Sequence, residues 1–248
     1  MEQHDLKLDA NLRYETKYRI NYCQYYKIKN GIYPFVNMDA YTKKAVQNRY
    51  LVRSLYYDTF DHQIYIEKIN GDCDRVKYRI RSYGDSVDLD PDIRIEMKIR
   101  RGDLTEKYST LIDMTEYWHF QRTMHWGNQS DPVLMEFERQ LHQRGLETKT
   151  LVEYRREGYE SLDGNNIRIT FDHEIRSASA TALFDGRYFW HRHHDQLIVL
   201  EIKHRGKIQS WLTEVIKNNQ IHVVANSKFA LGTEASQYDL FMPAWSKG

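Results

Sequence analysis

Residues 75–84, RVKYRIRSYG, place a cation at every second position: Arg75, Lys77, Arg79 and Arg81. The residues between these cations are apolar or aromatic. Since alternate side chains of a β-strand lie on the same face, the stretch predicts a strand with one cationic and one apolar face. Like charges along one strand face repel each other. The pattern therefore indicates a face that meets an anion or stays well hydrated.

Four further stretches repeat this period of two, which favours strands: RYETKYRI (13–20), IRIEMKIRR (93–101), IRITFDHEI (167–175) and IVLEIKH (198–204). Additional strands are predicted at 52–59, 62–68, 106–112 and 150–156. Helices are predicted at 39–49, 114–125, 131–144 and 210–218, the last with Ser210 as its cap. The sequence therefore predicts a mainly β, α+β fold with an antiparallel sheet and several helices.

Composition limits the classes of protein that fit. The 248 residues are 41% hydrophobic and contain four prolines, which predicts a single compact domain over residues 1–248. Lys and Arg total 36 against 35 Asp and Glu, for a net charge of +1. This balance does not suit a non-specific nucleic-acid binder, so no nucleic acid is expected as a partner.

No segment approaches the ~18 apolar residues that a spanning helix needs, and the N-terminus has no apolar signal-peptide core. The expected protein is cytoplasmic, without direct membrane insertion. Cys23 and Cys73 have no metal-ligand spacing, so zinc bound by cysteine is not expected. Two reduced thiols are favoured, and one disulfide remains the alternative.

Two explanations fit the charged faces of these strands. Solvation is the ordinary one, because antiparallel sheets often have one wet side. However, Arg and Lys are dense on these faces, alternate with Glu and recur on five strands. A barrel with its apolar faces outward under helices, and its charged faces lining a channel, explains this pattern. Arg and Lys suit phosphate oxygens and Glu suits a divalent cation, which predicts a polyanion bound with metal.

Eight segments in order resemble the VTC domain, the polyphosphate polymerase domain of the vacuolar transporter chaperone complex, here in a stand-alone bacterial type. They are YETKYRI, SLYYDT, RVKYRIRSYG, IEMKIRRGDLTEKY, EYRREGY, RITFDHEI, VLEIKHRG and NSKFALG, and they span residues 13 to about 232. The resemblance implies a triphosphate tunnel metalloenzyme of the CYTH-like superfamily, with an eight-stranded antiparallel β-barrel tunnel and flanking helices. It also implies transfer of the ATP γ-phosphate to inorganic polyphosphate with a divalent metal, Mn²⁺ or Mg²⁺.

The same resemblance implies the site residues. The catalytic phosphate-binding cations would be Lys17, Arg79, Arg81, Lys98 and Arg156. Further substrate contacts would come from Lys107, Ser227 and Lys228. Strand parity adds Arg168 and Lys203, with Arg75 and Lys77 at one mouth of the tunnel. Glu201 matches the metal-binding glutamate, and Glu15 and Glu96 would hold metal or orient lysines.

Two alternatives to the polymerase remain open. Ala225 stands where the polymerase pattern has a lysine, which leaves a non-catalytic binder of polyphosphate or inositol phosphates as one alternative. A triphosphate hydrolase or a cyclase of the same fold is the other. Those enzymes favour an E-x-E-x-K start, and Arg13 occupies the place of the first Glu, which counts against this alternative. The expected partners are ATP and polyphosphate, with room for a separately encoded membrane protein.

Overall fold

The computed structural model describes residues 13–84, 91–102, 104–164, 166–184 and 186–236. Within these residues the strands are β1 Arg13–Ile20, β2 Val36–Met38, β3 Tyr50–Asp58, β4 Asp74–Tyr83, β5 Asp92–Arg101, β6 Leu104–Ile112, β7 Glu147–Ser161, β8 Arg168–Ser179, β9 His191–Arg192 and β10 Ile198–Arg205. The α-helices there are α1 Tyr22–Ile32, α2 Ala40–Lys44, α3 Gln63–Asn70, α4 Met114–Thr123, α5 Pro132–Arg144, α6 Ser210–Asn218 and α7 Lys228–Ser236. The predicted mainly β, α+β class is confirmed.

Contacts divide the chain into two compact units, and the long strands β7 and β8 contribute residues to both. Of the described residues, those within 13–50, 154–174 and 194–226 form the first unit, and those within 51–153, 175–193 and 227–236 form the second. The single domain over residues 1–248 stays a prediction.

In the first unit, neighbouring strands follow the order β1-β10-β8-β7, and β2 pairs with β7. The β1–β10 and β10–β8 pairs are antiparallel. Tyr18, Leu200 and Phe171, one from each of these three strands, are buried in a single core cluster with Ile28 of α1 and Leu212 of α6. The apolar face of this sheet is therefore packed against helices, as the strand pattern predicted, and the charged side chains lie on its other face.

In the second unit, neighbouring strands follow the order β7-β3-β4-β5-β6, and β9 pairs with β8. Phe137 of α5 packs edge-on against Tyr57 of β3 at 5.4 Å and Tyr78 of β4 at 6.0 Å, between ring centroids. Phe120 of α4 stacks on Trp126 at 3.7 Å. Here too, the apolar sheet face is covered by helices, and the cations of residues 75–84 lie on the opposite face.

The strand predicted at 62–68 is wrong, because residues 63–68 belong to helix α3 and His62 is its N-cap residue. Two backbone amides in its first turn donate to Asp58, and that of Gln63 donates to Thr59 Oγ1. These contacts satisfy amides that a helix start leaves unpaired, and Gly71 ends the helix with φ +79°. Side-chain capping therefore outweighs the local alternation of isoleucines.

Two helix boundaries also differ from prediction. The helix predicted over 39–49 ends at Lys44, and Ala45 is extended with φ −78° and ψ 145°. Helix α6 begins at Ser210 as predicted, but its N-cap residue is Gln209. The α4 and α5 predictions agree with the structure to within two residues.

Cys23 and Cys73 are free and exposed, as the favoured alternative predicted. Among the described residues, no helix combines the length and apolarity that crossing a membrane requires.

Candidate functional site

The first group of charged side chains, which we call the arginine cluster, lies in the second unit and consists of Arg79, Arg81, Glu96 and Lys107. Strands β4 and β5 place Arg79 opposite Glu96, and Arg79 donates to Glu96 Oε2. Lys107 of β6 forms an ion pair with Oε1 of the same carboxylate, which is 1% exposed. Burial alone would raise the pKa of Glu96, but the three cations lower it far below its ordinary value. Glu96 therefore stays ionised and orients two of the cations.

The pKa values of two tyrosines beside these arginines indicate that positive charge is in excess around them. Arg79 Nη1 donates to Tyr56 Oη at 3.1 Å, and Arg81 Nη1 donates to Tyr83 Oη at 3.4 Å. Burial would raise the pKa of Tyr83, but Arg81 outweighs burial and lowers it to about 8. The pKa of Tyr56 is also lowered, against its burial, by both arginines. Since burial ordinarily raises a phenol pKa above about 10, the positive potential exceeds what Glu96 neutralises.

A row of lysines crosses three strands of the second unit. Lys77 on β4 lies opposite Lys98 on β5, and Lys98 lies opposite Lys107 on β6. Lys77 Nζ donates to Ser227 Oγ at 3.1 Å and lies 5.5 Å from the Phe229 ring centroid. Like charges directly opposite one another destabilise a sheet, so a bound anion would stabilise this arrangement.

Of the remaining predicted residues in the second unit, Ser227 and Lys228 lie at the start of α7, and Arg75 lies at the start of β4. Ser227 Oγ accepts a backbone amide from the first turn of α7, and Lys228 begins that helix. The charge of Lys228 contributes to the lowered pKa of Tyr56, which places it near the arginine cluster. Arg75 instead donates to the backbone oxygen of Asp72 at 2.5 Å, so it is bound to the turn before β4.

The second group, which we call the carboxylate–lysine cluster, lies in the first unit and consists of Glu15, Lys17, Glu201 and Lys203. Register places Glu15 of β1 opposite Lys203 of β10, and Lys17 opposite Glu201. Lys17 Nζ lies 2.9 Å from Glu15 Oε1, and Lys203 Nζ lies 2.8 Å from Glu201 Oε1. Two longer contacts, of 4.0 Å and 3.7 Å, complete the alternation of charge. Lys17 also donates to the backbone oxygen of Asn226 at 3.2 Å.

Arg156 is held by a buried carboxylate in the same unit. Its Nε and Nη2 donate to Asp172 Oδ1 and Oδ2 at 2.6 Å and 2.8 Å. Burial alone would lower the pKa of Arg156, but Asp172 raises it well above its ordinary value. Arg168 is 41% exposed and pairs with Asp39 at 3.0 Å. Asp172 thus holds Arg156 in one orientation.

The three predicted metal-binding glutamates, Glu15, Glu96 and Glu201, do not suit a divalent cation equally well. Mn²⁺ and Mg²⁺ take oxygen ligands, and Glu15 and Glu201 lie on neighbouring strands with two lysines between them. A cation could replace those ammonium groups. Both oxygens of Glu96 are already paired with Arg79 and Lys107, so its geometry fits the lysine-orienting role.

Sequence reasoning missed four side chains that position the cations, Ser54, Tyr56, Tyr83 and Asp172, and the backbone oxygen of Asn226 that accepts from Lys17. Ser54 and Tyr56 lie opposite Arg81 and Arg79 in the β3–β4 register. Strand parity within VRSLYYDT would have placed these two residues on one face, but only the register brings them to the arginines.

Glu96 makes stability depend on pH. A carboxyl with a lowered folded-state pKa contributes stability above its unfolded pKa of about 4.3, and this contribution is lost as the pH falls. We therefore expect the native protein to exceed the Glu96→Gln variant in unfolding free energy at pH 7. The difference should shrink steadily below about pH 4. Urea unfolding across this range measures it.

The matched control is Glu106→Gln, which changes an exposed carboxylate beside Lys107 on β6. The unfolding free energy of this variant should differ little from that of the native protein, and the difference should stay nearly constant across this pH range. A Glu96→Gln difference that did not vary with pH would contradict the assigned ion pairs.

Comparisons with known proteins identify the family of the chain and solved structures of similar fold. The VTC domain family model matches residues 12–237. A putative adenylate cyclase from Bacillus halodurans has a similar fold, with a TM-score of 0.50, 14% identity, and coverage of 88% of this chain and 94% of that one. The putative adenylyl cyclase HpAC1 from Hippeastrum is described as having a dominant triphosphatase activity. It has a TM-score of 0.54 and 13% identity, and the match covers 91% of this chain and 97% of that one. None of the curated proteins matches.

Proposed function

Because the chain belongs to the VTC domain family, we propose that it is a polyphosphate polymerase that uses ATP. The reaction moves the γ-phosphate of ATP onto the terminal phosphate of an inorganic polyphosphate chain and releases ADP. The expected setting is the cytoplasm, where ATP is available, and a separately encoded membrane protein could receive the product.

The observation that carries this proposal is the arginine cluster itself, where Arg79, Arg81 and Lys107 act on the buried carboxylate of Glu96 and the two arginines also lower the pKa of Tyr56 and of Tyr83. These cations outnumber the carboxylate that they surround, and a triphosphate supplies the negative charge that such a site lacks. Arginine forks and lysine ammonium groups are also the donors that suit phosphate oxygens.

The proposed roles follow from the contacts. Arg79, Arg81 and Lys98 bind the triphosphate, with Lys77, Lys107 and Lys228 as further contacts. Glu96 and Asp172 keep their arginines ionised and oriented. The attacking oxygen belongs to an ionised phosphate, so no general base is needed, and the bond from the γ-phosphorus to the β–γ bridging oxygen breaks.

The predicted residues of the first unit keep their proposed roles within that unit. Arg156 is a phosphate-binding cation there, and Lys17 and Lys203 contact phosphate when displaced from their carboxylates. Glu15 and Glu201 would hold the divalent cation, which supplies charge neutralisation at the phosphate oxygens.

A triphosphatase is the second candidate, because HpAC1, a protein of similar fold, is described as having that dominant activity. Water would then replace the polyphosphate end as nucleophile. The same cations would serve both reactions, so the products separate the candidates and the residue list does not.

The purified chain, incubated with ATP and Mn²⁺, should form polyphosphate and ADP in matching amounts. Polyphosphate, ADP and free phosphate are measured separately, and an incubation with EDTA is the control. Free phosphate without polymer would show that the chain is a triphosphatase and not a polymerase. ATP bound but unchanged would leave a binder and refute both enzymes.

A further inference from the structure

A cluster of His125, Glu138 and His142 lies in the second unit, apart from the charged strand faces. Glu138 and His142 are four residues apart on α5 and so share one face of that helix. His125 follows the end of α4, where Met124 turns the chain with φ 60°. His125 Nδ1 lies 2.8 Å from Glu138 Oε1, and one ligand atom from each of the three residues lies within 4.8 Å of the others.

We propose that these three residues bind one zinc ion. Two imidazoles and one carboxylate form a set that zinc uses in proteins, with a fourth position left to water. Tetrahedral ligands at about 2.1 Å from zinc lie roughly 3.4 Å apart, so the cluster must close by about 1 Å or a little more. The side chain of His125 is 61% exposed and can rotate to make this adjustment.

The surrounding contacts hold the ligands near these positions. Glu138 Oε2 accepts the backbone amide of Trp126 at 2.8 Å, and Trp126 is 1% exposed and stacks on Phe120. A buried indole thus fixes the backbone next to His125. Outer contacts that orient metal ligands in this way strengthen metal binding. Zinc would link the end of α4 to α5 and stabilise this pair of helices.

This site differs chemically from the proposed phosphate-transfer site. Imidazole nitrogens favour zinc over Mg²⁺ and Mn²⁺, whereas the carboxylates Glu15 and Glu201 favour the oxygen-seeking ions. Zinc binding at His125, Glu138 and His142 should therefore persist in excess Mg²⁺, and it does not depend on the proposed polymerase activity.

The test is calorimetric titration of the full chain, without a polyhistidine tag, with Zn²⁺ in excess Mg²⁺. We expect one zinc ion to bind. The His142→Ala and His125→Ala variants should each bind it at least about 10-fold more weakly, because each loses one of three protein ligands. Glu138→Gln keeps an oxygen for the Trp126 amide but loses the carboxylate charge, and it should also weaken binding.

Two variants serve as matched controls. His222→Ala removes an exposed histidine of the first unit, and Glu201→Gln alters the proposed oxygen site. Both should retain zinc binding. Zinc should also raise the unfolding temperature of the native protein and of both controls, but not that of His142→Ala, because a ligand that binds only the folded state stabilises it.

Two outcomes would overturn the proposal. The first is that zinc does not bind in a saturable way. The second is that binding and the temperature shift are unchanged in both His125→Ala and His142→Ala while these variants remain folded. In either case, the cluster would be a hydrogen-bonded tie between α4 and α5 only.

Discussion

If the proposed mechanism holds, the Arg81→Ala variant should turn over ATP about 10²–10³ times more slowly than the native protein, because it loses one proposed donor to the transferring phosphate. Its unfolding temperature should change little. Arg81 is 7% exposed and donates to Ser54 Oγ at 2.8 Å, and it lies opposite Arg94 in the β4–β5 register. Removing one of several like charges relieves repulsion, which offsets the lost packing. Steady-state kinetics and thermal unfolding of the same preparation measure the two effects.

The control is Arg101→Gln, which removes a cation from the end of β5 on the opposite face of the strand from Glu96. It should keep native turnover. Native activity in Arg81→Ala, or an equal loss in Arg101→Gln, would remove the arginine cluster from the proposed mechanism.

The sequence predicted the two faces of the strands because this information is local. Alternation within residues 75–84 and 198–204 sets which side chains share a face, and residues 75–83 and 198–204 lie in strands as expected. The ion pairs could not be predicted from the sequence. The Arg79–Glu96 pair depends on the register between β4 and β5, and a shift of one residue would turn Glu96 to the other face.

Helices were predicted less well where capping decides the structure. Helix α1 was missed, although Asn21 and Gln24 form a reciprocal capping box whose pattern is present in the sequence. Tyr25, Ile28 and Ile32 then follow at helical spacing and are buried. For α3, the capping residue Asp58 lies at the end of a preceding strand, so its role appears only once that strand is placed.

The Asp172→Asn variant should lose about 3–5 kcal/mol of unfolding free energy, the largest stability change we expect from one substitution in the site. Asp172 is fully buried and accepts both hydrogen bonds from Arg156, which is 8% exposed. Without the carboxylate, a guanidinium charge remains buried beside a neutral amide, and its desolvation is no longer compensated. Urea unfolding at neutral pH measures the loss.

The double variant Arg156→Gln with Asp172→Asn separates stability from chemistry. Two neutral amides leave no uncompensated charge in the core, so the double variant should be more stable than Asp172→Asn alone. Its turnover of ATP should nevertheless remain lower than native by about 10²-fold or more, because the proposed contact with the transferring phosphate is gone. If the double variant instead recovered both stability and turnover, Arg156 would be a structural partner of Asp172 and would have no part in binding phosphate.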